Sequence, residues 1–263
     1  MSKCLLAIDV QNDFCNPDGG ALYVKGAEED AKRLALFVDK MGAKLDSIHI
    51  TLDSHNDVDI AHPIFWIDEN GNHPAPFTII TNDDLFRWKW RTNKPEHLDR
   101  SVKYVDKLSK HSKYPLCIWP PHCIMGTHGW NLDPVFEGSI SKWCKNNLRT
   151  ANYHIKGMNV FTEHYSAFRA EVIDEKDPNT FFNAKLVAEL MKANEIFVAG
   201  EARSHCVCNS IRDLIDEIGD QHAHNFILLE DTMSDVTGFE ELGEKFVEDM
   251  KSKGMKSAKT TDF

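Results

Sequence analysis

The chain has 263 residues, of which 42% are hydrophobic and 27% charged, with a formal net charge of −11. That is enough apolar chain to bury a substantial core, so one α/β domain spanning 1–263 with an insertion is expected rather than two domains. The acidic balance argues against nucleic acid or an anionic membrane surface as the main partner.

The opening Met-Ser-Lys-Cys-Leu-Leu-Ala-Ile-Asp reaches charge too soon for a signal peptide. Residues 4–10 then form an apolar run carrying Asp9 at its end, which suits a buried parallel strand. Gln11 to Gly20 is dense in turn formers and reads as a loop. From Ala27 to Met41 the apolar residues Ala31, Leu34, Ala35 and Val38 keep helical spacing. Ser47–Leu52 is a second strand with Asp53 at its carboxyl end, which completes a βαβ unit. Regularity fails from Asp53 to about Pro121, apart from a helical segment near Glu96–Ser109. The irregular insertion at about 60–118 is expected to be a lid, a site wall or a contact in a homo-oligomer. Arg149–Lys156 reads as a third strand, Asn179–Ala193 as a helix and Glu195–Gly200 as a fourth strand. A helix carrying Cys206 follows to about Ile218, then a strand at Asn225–Glu230 and an amphipathic helix at Phe239–Lys253. Lys256–Phe263 is left as an edge strand or a frayed end. No apolar run approaches the roughly 18 residues of a spanning helix. Seven cysteines without repeating spacing make no disulfide framework. The expectation is a soluble, cytoplasmic protein with reduced thiols and a doubly wound, mostly parallel sheet flanked by helices.

Within that frame, Ile196 to Ser210 carries the chemistry. An apolar strand, a glycine break and a helix opening near Cys206 place a thiol beyond the carboxyl end of a parallel strand, where ligands bind in α/β sheets. The positive end of the helix is expected to lower the thiol pKa and favour the thiolate. Asp9 and Lys156 also sit at strand ends, so the three could meet: a base for the thiol and a cation beside both. Each alone has a plainer reading, as a loop hydrogen-bonder, a solvated ammonium and a small buried hydrophobe. A second group is Asp53 with His55, two residues apart on one side of a strand end, and His122 in Trp119-Pro-Pro-His-Cys123, as metal ligands would lie. With 13 histidines in the chain, His62, His128 and His164 are rival ligands. Cys117, Cys123 and Cys144 read as structural.

Leu6-Ala-Ile-Asp9-Val-Gln-Asn-Asp-Phe14, Asp53-x-His55, Trp119-Pro-x-His122-Cys, Lys156-Gly and Gly200-x-Ala-x-x-x-Cys206-Val occur in this order. Together they resemble the isochorismatase-like cysteine hydrolases, and within them the nicotinamidase branch. The resemblance implies a Rossmann-like three-layer sandwich and an amidohydrolase that converts nicotinamide to nicotinate and ammonia through a cysteine thioester. It implies Asp9, Lys156 and Cys206 as the catalytic triad. It implies Asp53, His55 and His122 as ligands of a divalent metal, zinc first and manganese, iron or magnesium after it, that holds the pyridine nitrogen. Phe14, Trp119 and Tyr165 would wall the ring, and a cis peptide at Glu201–Ala202 would aim the amide of Ala202, with that of Cys206, at an oxyanion. It also implies a place in NAD recycling. Two departures bear on the substrate. Arg203 and His205 precede the nucleophile where the family commonly has Thr-Asp-Tyr, and the insertion brings Trp66, Trp88 and Trp90. They leave open another small amide, such as a carbamoyl or ureido compound. A catalytically silent binding protein of the same fold, and a metal hydrolase that uses no covalent catalysis, are the readings from other classes.

Overall fold

The computed structural model describes residues 1–111 and 114–263 of the chain. Its elements, in order, are β1 (Lys3–Ile8), α1 (Asn12–Cys15), α2 (Ala27–Met41), β2 (Ser47–Asp53), β3 (Trp66–Ile67), β4 (Ile79–Ile80), α3 (Asn82–Phe86), β5 (Arg91–Thr92) and α4 (Leu98–His111). Then come β6 (Leu116–Cys117), α5 (Pro134–Asn147), β7 (Asn152–Lys156), α6 (Ala184–Leu190), β8 (Glu195–Gly200), α7 (Cys208–Ile218), β9 (Phe226–Leu229), α8 (Glu240–Ser252) and β10 (Lys256–Ala258). Six strands form one sheet in the order β10-β9-β8-β1-β2-β7, and every pairing in it is parallel. The doubly wound parallel sheet expected from the sequence is therefore present.

Side-chain alternation explains the layers. Along β1, Cys4, Leu6 and Ile8 enter one core and Leu5 and Ala7 the other, because successive Cβ atoms point to opposite faces of a strand. Helices α2 and α5 cover the Leu5 face through Leu34, Phe37, Phe136 and Trp143. Helices α6, α7 and α8 cover the Leu6 face, joined there by α4 and other parts of the insertion, including Trp66, Tyr104 and Leu116. Burial on both faces is why the central strands β1, β8 and β9 read as nearly continuous apolar runs.

Several boundaries differ from those expected. Helix α5 falls in a stretch read without an element, although its start is written in the chain. Asp133 accepts hydrogen bonds from the amides of Val135 (2.9 Å) and Phe136 (3.2 Å), and Pro134 occupies the first helical position. The helix expected from Asn179 starts only at Ala184, where Asn183 caps it by accepting from the Leu186 amide (3.0 Å). Strand β7 starts only at Asn152, and Arg149 ahead of it donates its guanidinium to the carbonyls of Leu45 (2.9 Å) and Asp46 (3.2 Å). The chain end is an edge strand, with β10 pairing to β9. Within the insertion, β3 pairs with β5 and β4 with β6. A capping box at Thr81 and Asp84 starts α3. No helix among the described residues is long and apolar enough to cross a membrane.

Candidate active site

Four neighbouring strands of the sheet deliver the site. Asp9 follows β1, Asp53 ends β2, Lys156 ends β7 and Cys206 lies six residues beyond β8. The β1 and β8 ends come so close that a Cβ on Gly200 would fall 1.9 Å from the Ile8 carbonyl oxygen. Gly200 has φ of +113°, so only glycine fits both the contact and the conformation. Asp9 has φ of +49° and is held there by Thr51, whose hydroxyl donates to Asp9 Oδ1 (2.6 Å) and accepts from the Asp9 amide (3.1 Å). Gln11 clamps the β1 and β2 ends. Its amide group donates to the Asp53 carbonyl (2.8 Å), and its oxygen accepts from the Asp53 N–H (2.8 Å).

The structure brings Asp9, Lys156 and Cys206 together. The Lys156 ammonium lies 2.9 Å from Asp9 Oδ2 and 2.9 Å from Asp53 Oδ1. It also donates to the His164 carbonyl (2.9 Å) and to Cys206 Sγ (3.6 Å). All three triad side chains are buried. Burial would lower Lys156, but Asp53, Asp9 and Cys206 outweigh it and hold the ammonium well above its ordinary pKa. Burial raises the Asp9 carboxyl against the pull of Lys156. A carboxylate so raised is a stronger base than one in water.

One expectation fails. Cys206 does not sit in the first turn of the helix but in a π-helical turn, Arg203–Val207, ahead of α7. Burial pushes its thiol well above the ordinary value, against the pull of Lys156.

Asp53, His55 and His122 converge as well, with their ligand atoms all within 4.8 Å of one another. His55 Nε2 lies 3.1 Å and His122 Nε2 3.4 Å from Asp53 Oδ2. Both rings are pinned at Nδ1, His55 by Asp59 Oδ2 (3.1 Å) and His122 by the Pro120 carbonyl (2.8 Å). With Nδ1–H donated outward, each neutral ring turns an Nε2 lone pair toward a carboxylate oxygen. That arrangement repels unless a cation lies between the three. Burial would lower His55, but Asp53 and Asp59 outweigh it and raise its pKa well above the ordinary value. A proton thus answers the charge when no metal does, and a divalent ion would displace it. The donor set of two imidazoles and one carboxylate fits zinc with an open position. Of the rival ligands, His62 packs against the rings of His55 and His122 at 5.2 and 5.8 Å but lies outside this trio. His164 accepts from the Gly157 amide (3.0 Å), and His128 lines a separate surface hollow.

Both groups reach one cavity, lined by Phe14, Trp119 and Tyr165 together with Asp53, His122 and Cys206. Trp119 donates its indole N–H to the Tyr165 hydroxyl (3.0 Å), and Phe14 stands edge-on to His122 at 5.5 Å. The Glu201–Ala202 peptide bond is cis, and Ala202 lines the cavity. Arg203 does not line it; its guanidinium is paired with Asp235. From the insertion, Phe77 packs edge-on to the lining residue Trp119 at 5.8 Å. Trp66 is buried in the core and Trp88 is exposed.

Three supporting residues had no signal strong enough to be singled out from the sequence, Thr51, Asp59 and Glu163, and Gln11 stands in the Leu6–Phe14 motif without a role of its own. Glu163 lines the cavity beside the Asp53-His55-His122 cluster, 4.0 Å from His55. Burial raises its pKa, against the pull of His55.

No family model matches the chain. The nicotinamidase/pyrazinamidase of Mycobacterium tuberculosis is 25% identical over 215 residues, covering 81% of this chain and 78% of that protein. A yeast nicotinamidase solved with the inhibitor nicotinaldehyde superposes with a TM-score of 0.67 at 19% identity, covering 98% of this chain and 99% of that one. A Pyrococcus horikoshii pyrazinamidase in complex with zinc gives a TM-score of 0.57 at 18% identity, with 98% and 99% covered. These structures share the fold. With the curated relative, they bear out the resemblance to the nicotinamidase branch of the isochorismatase-like cysteine hydrolases.

Proposed function

We propose that the chain is a cysteine amidohydrolase that converts nicotinamide to nicotinate and ammonia, its 263 residues acting as one hydrolase domain. The observation that carries this reading is one cavity in which a thiol, with a carboxylate and an ammonium behind it, faces a buried Asp-His-His cluster beside aromatic walls. A silent binding protein of the same fold would have no need of the buried Lys156 between two carboxylates, which is costly to desolvate.

Asp9 takes the Cys206 proton, and the thiolate attacks the carboxamide carbon. Backbone N–H groups at Ala202 and Cys206 hold the oxyanion. The C–N bond breaks as Asp9 returns its proton to the leaving nitrogen, releasing ammonia and leaving a thioester on Cys206. Asp9 then deprotonates a water that attacks the thioester; the C–S bond breaks, the thiol regains the proton, and the acid departs. Lys156 keeps its charge throughout and offsets that of Asp9 and the thiolate. Asp53, His55 and His122 would hold a divalent ion, most simply zinc, which when bound supplies a Lewis-acid contact for the pyridine nitrogen. Phe14, Trp119 and Tyr165 sandwich the ring and exclude bulk water. In a cell the product is an entry to pyridine-nucleotide recycling, and the cytoplasm is where reduced thiols would keep Cys206 competent.

The test is ammonia release from nicotinamide by the purified protein, beside Cys206→Ala and a chelator-treated sample. Loss of at least a thousandfold in Cys206→Ala is expected for a nucleophile, with metal content unchanged. Activity that survives Cys206→Ala but not chelation would mean a metal hydrolase without a covalent step. A wild type inert on nicotinamide but active on carbamoyl or ureido compounds would move the substrate assignment and leave the chemistry.

A further inference from the structure

Glu201 directly follows β8, is 1% exposed and donates its amide to the Ile8 carbonyl (2.8 Å). An acid buried so deeply is costly unless its oxygens are bonded, and an apolar residue would serve better if filling space were its only task. One of its oxygens accepts from the Ser234 amide (3.2 Å). The carboxyl also meets that of Asp30, in the first turn of α2, with a hydrogen bond between the two acids. The Ser234 hydroxyl donates to Asp30 from the other side. The surrounding charges do not give each acid a cation of its own. Arg33 of α2 pairs with Asp30, and Arg203 is already paired with Asp235. Asp231 turns its carboxylate to the amide and hydroxyl of Thr260, and Cys15 of α1 is a buried thiol. Burial, and after it Asp30, raises the Glu201 carboxyl well above its ordinary value, against the pull of the Ser234 amide.

This pair of acids anchors the turn that carries the nucleophile. The amides of His205 (3.0 Å) and Val207 (3.2 Å) both donate to the carbonyl of Ala202, the residue after Glu201. From outside the turn, the Ser234 carbonyl accepts from the Arg203 amide (2.7 Å), and the Val236 amide donates to Ser204 Oγ (3.1 Å). Ser234 is thus bonded to Glu201, to Asp30 and to Arg203 at once. We infer that Glu201 is a positioning residue for the nucleophile, its carboxyl sharing a hydrogen with Asp30 so that α2 and the segment Ser234–Val236 together hold the Cys206 turn. The inference rests on the amidase reading and deepens it. Glu201 touches no reacting atom. It acts through the backbone it anchors, fixing where the thiol and the N–H groups of Ala202 and Cys206 stand.

Two measurements test it. Ammonia release from nicotinamide is compared in wild type, Glu201→Leu and Glu201→Gln. Glu201→Leu is expected to lose about 10- to 100-fold in kcat while KM stays within about twofold. Glu201→Gln, which keeps a hydrogen-bonding group of the same shape, is expected to recover most of that loss. If Glu201→Leu does not fold, Asp30→Ala removes the other half of the pair and supplies the same split between kcat and KM. The shared hydrogen is tested without substrate, by the urea midpoints of wild type and Glu201→Gln from about pH 5 to about pH 8. A carboxyl raised in the native state keeps a proton that the unfolded chain has given up, so its contribution to stability falls as pH rises. Glutamine has no such slope, and the wild-type midpoint is expected to fall relative to that of Glu201→Gln. An unchanged kcat in the variant that removes half the pair, or midpoints that stay a constant distance apart, overturns this inference and leaves the amidase reading standing. A wild type inert on nicotinamide overturns both.

Discussion

The two oxygens of Asp53 face different worlds. On the Oδ1 side, Lys156 joins Asp53 to Asp9 and reaches Cys206, so both carboxyl groups share a cation supplied by the protein. On the Oδ2 side, two imidazole nitrogens converge on one carboxylate oxygen, and the arrangement is balanced only by a proton or a metal ion. The difference teaches which half of the site the chain builds alone and which half it leaves for a ligand to complete. It also explains the opposite fates of the two carboxyls. Burial would raise both, yet Lys156, His55 and His122 together hold Asp53 well below the ordinary range, while Asp9, with Lys156 as its cation, stays raised.

The largest expected effect comes from breaking the self-sufficient half. Lys156→Met would leave two carboxylates buried without their cation, and removal of one partner from such a network costs about 3–5 kcal/mol. Urea denaturation should show a loss of that order, together with loss of ammonia release. Adding Asp9→Asn to Lys156→Met should restore part of the stability, since the double variant removes one of the stranded charges. A Lys156→Met protein as stable as wild type would mean that this half does not depend on its ion pairs. The ligand-dependent half should break differently. Asp59 orients His55 from behind without reaching the triad, and such outer partners typically govern about 10- to 100-fold in metal affinity. Asp59→Asn is expected to weaken zinc by that factor in competition with a chromophoric chelator. Unchanged affinity would remove Asp59 from the account of the cluster.

The same contrast marks what could be read in the chain. Asp9, Asp53 and Cys206 were legible because each closes or follows a largely buried strand and Lys156 because it closes the edge strand β7, and parallel strand ends converge whatever the connections between them. His55 and His122 were legible as residue types at suggestive positions, yet His62 is as buried and nearly as close, so spacing alone does not separate them. Asp59, Glu163 and the role of Gln11 were not legible, since their partners come from distant segments and only the folded packing pairs them. Helix α5 is announced by Asp133-Pro134 and by the spacing of Phe136, Ile140 and Trp143, signals weaker than those of the strand ends. The expected low pKa of Cys206 failed for an energetic reason. A helix end is a weak, short-ranged influence, and desolvation of a thiol that is only 7% exposed outweighs it.

The smallest expected effect tests whether acid sensitivity belongs to the ligand-dependent half alone. His49 and His154 stack on each other across β2 and β7, with 3.0 Å between His49 Nδ1 and His154 Nε2. Burial, then His49 and Lys185, push His154 down to about 4, while Glu189 pulls the other way. His49 is lowered too, by burial, with Glu189 opposing and Lys192 assisting. An unfolded imidazole gains its proton near pH 6.5, whereas native His154 gains it only near 4. Between those values the unfolded chain binds more protons, so this contribution is complete above pH 6.5 and is lost as pH falls toward 4. His154→Gln should therefore lose less in Tm between pH 7 and pH 5 than wild type does. The effect is modest because His154 is partly exposed to solvent. The same difference should appear in zinc-loaded and in chelator-treated protein, because the pair is stacked at the sheet edge and belongs to neither half. A difference that vanishes once the metal is stripped would assign the acid response to the Oδ2 cluster instead.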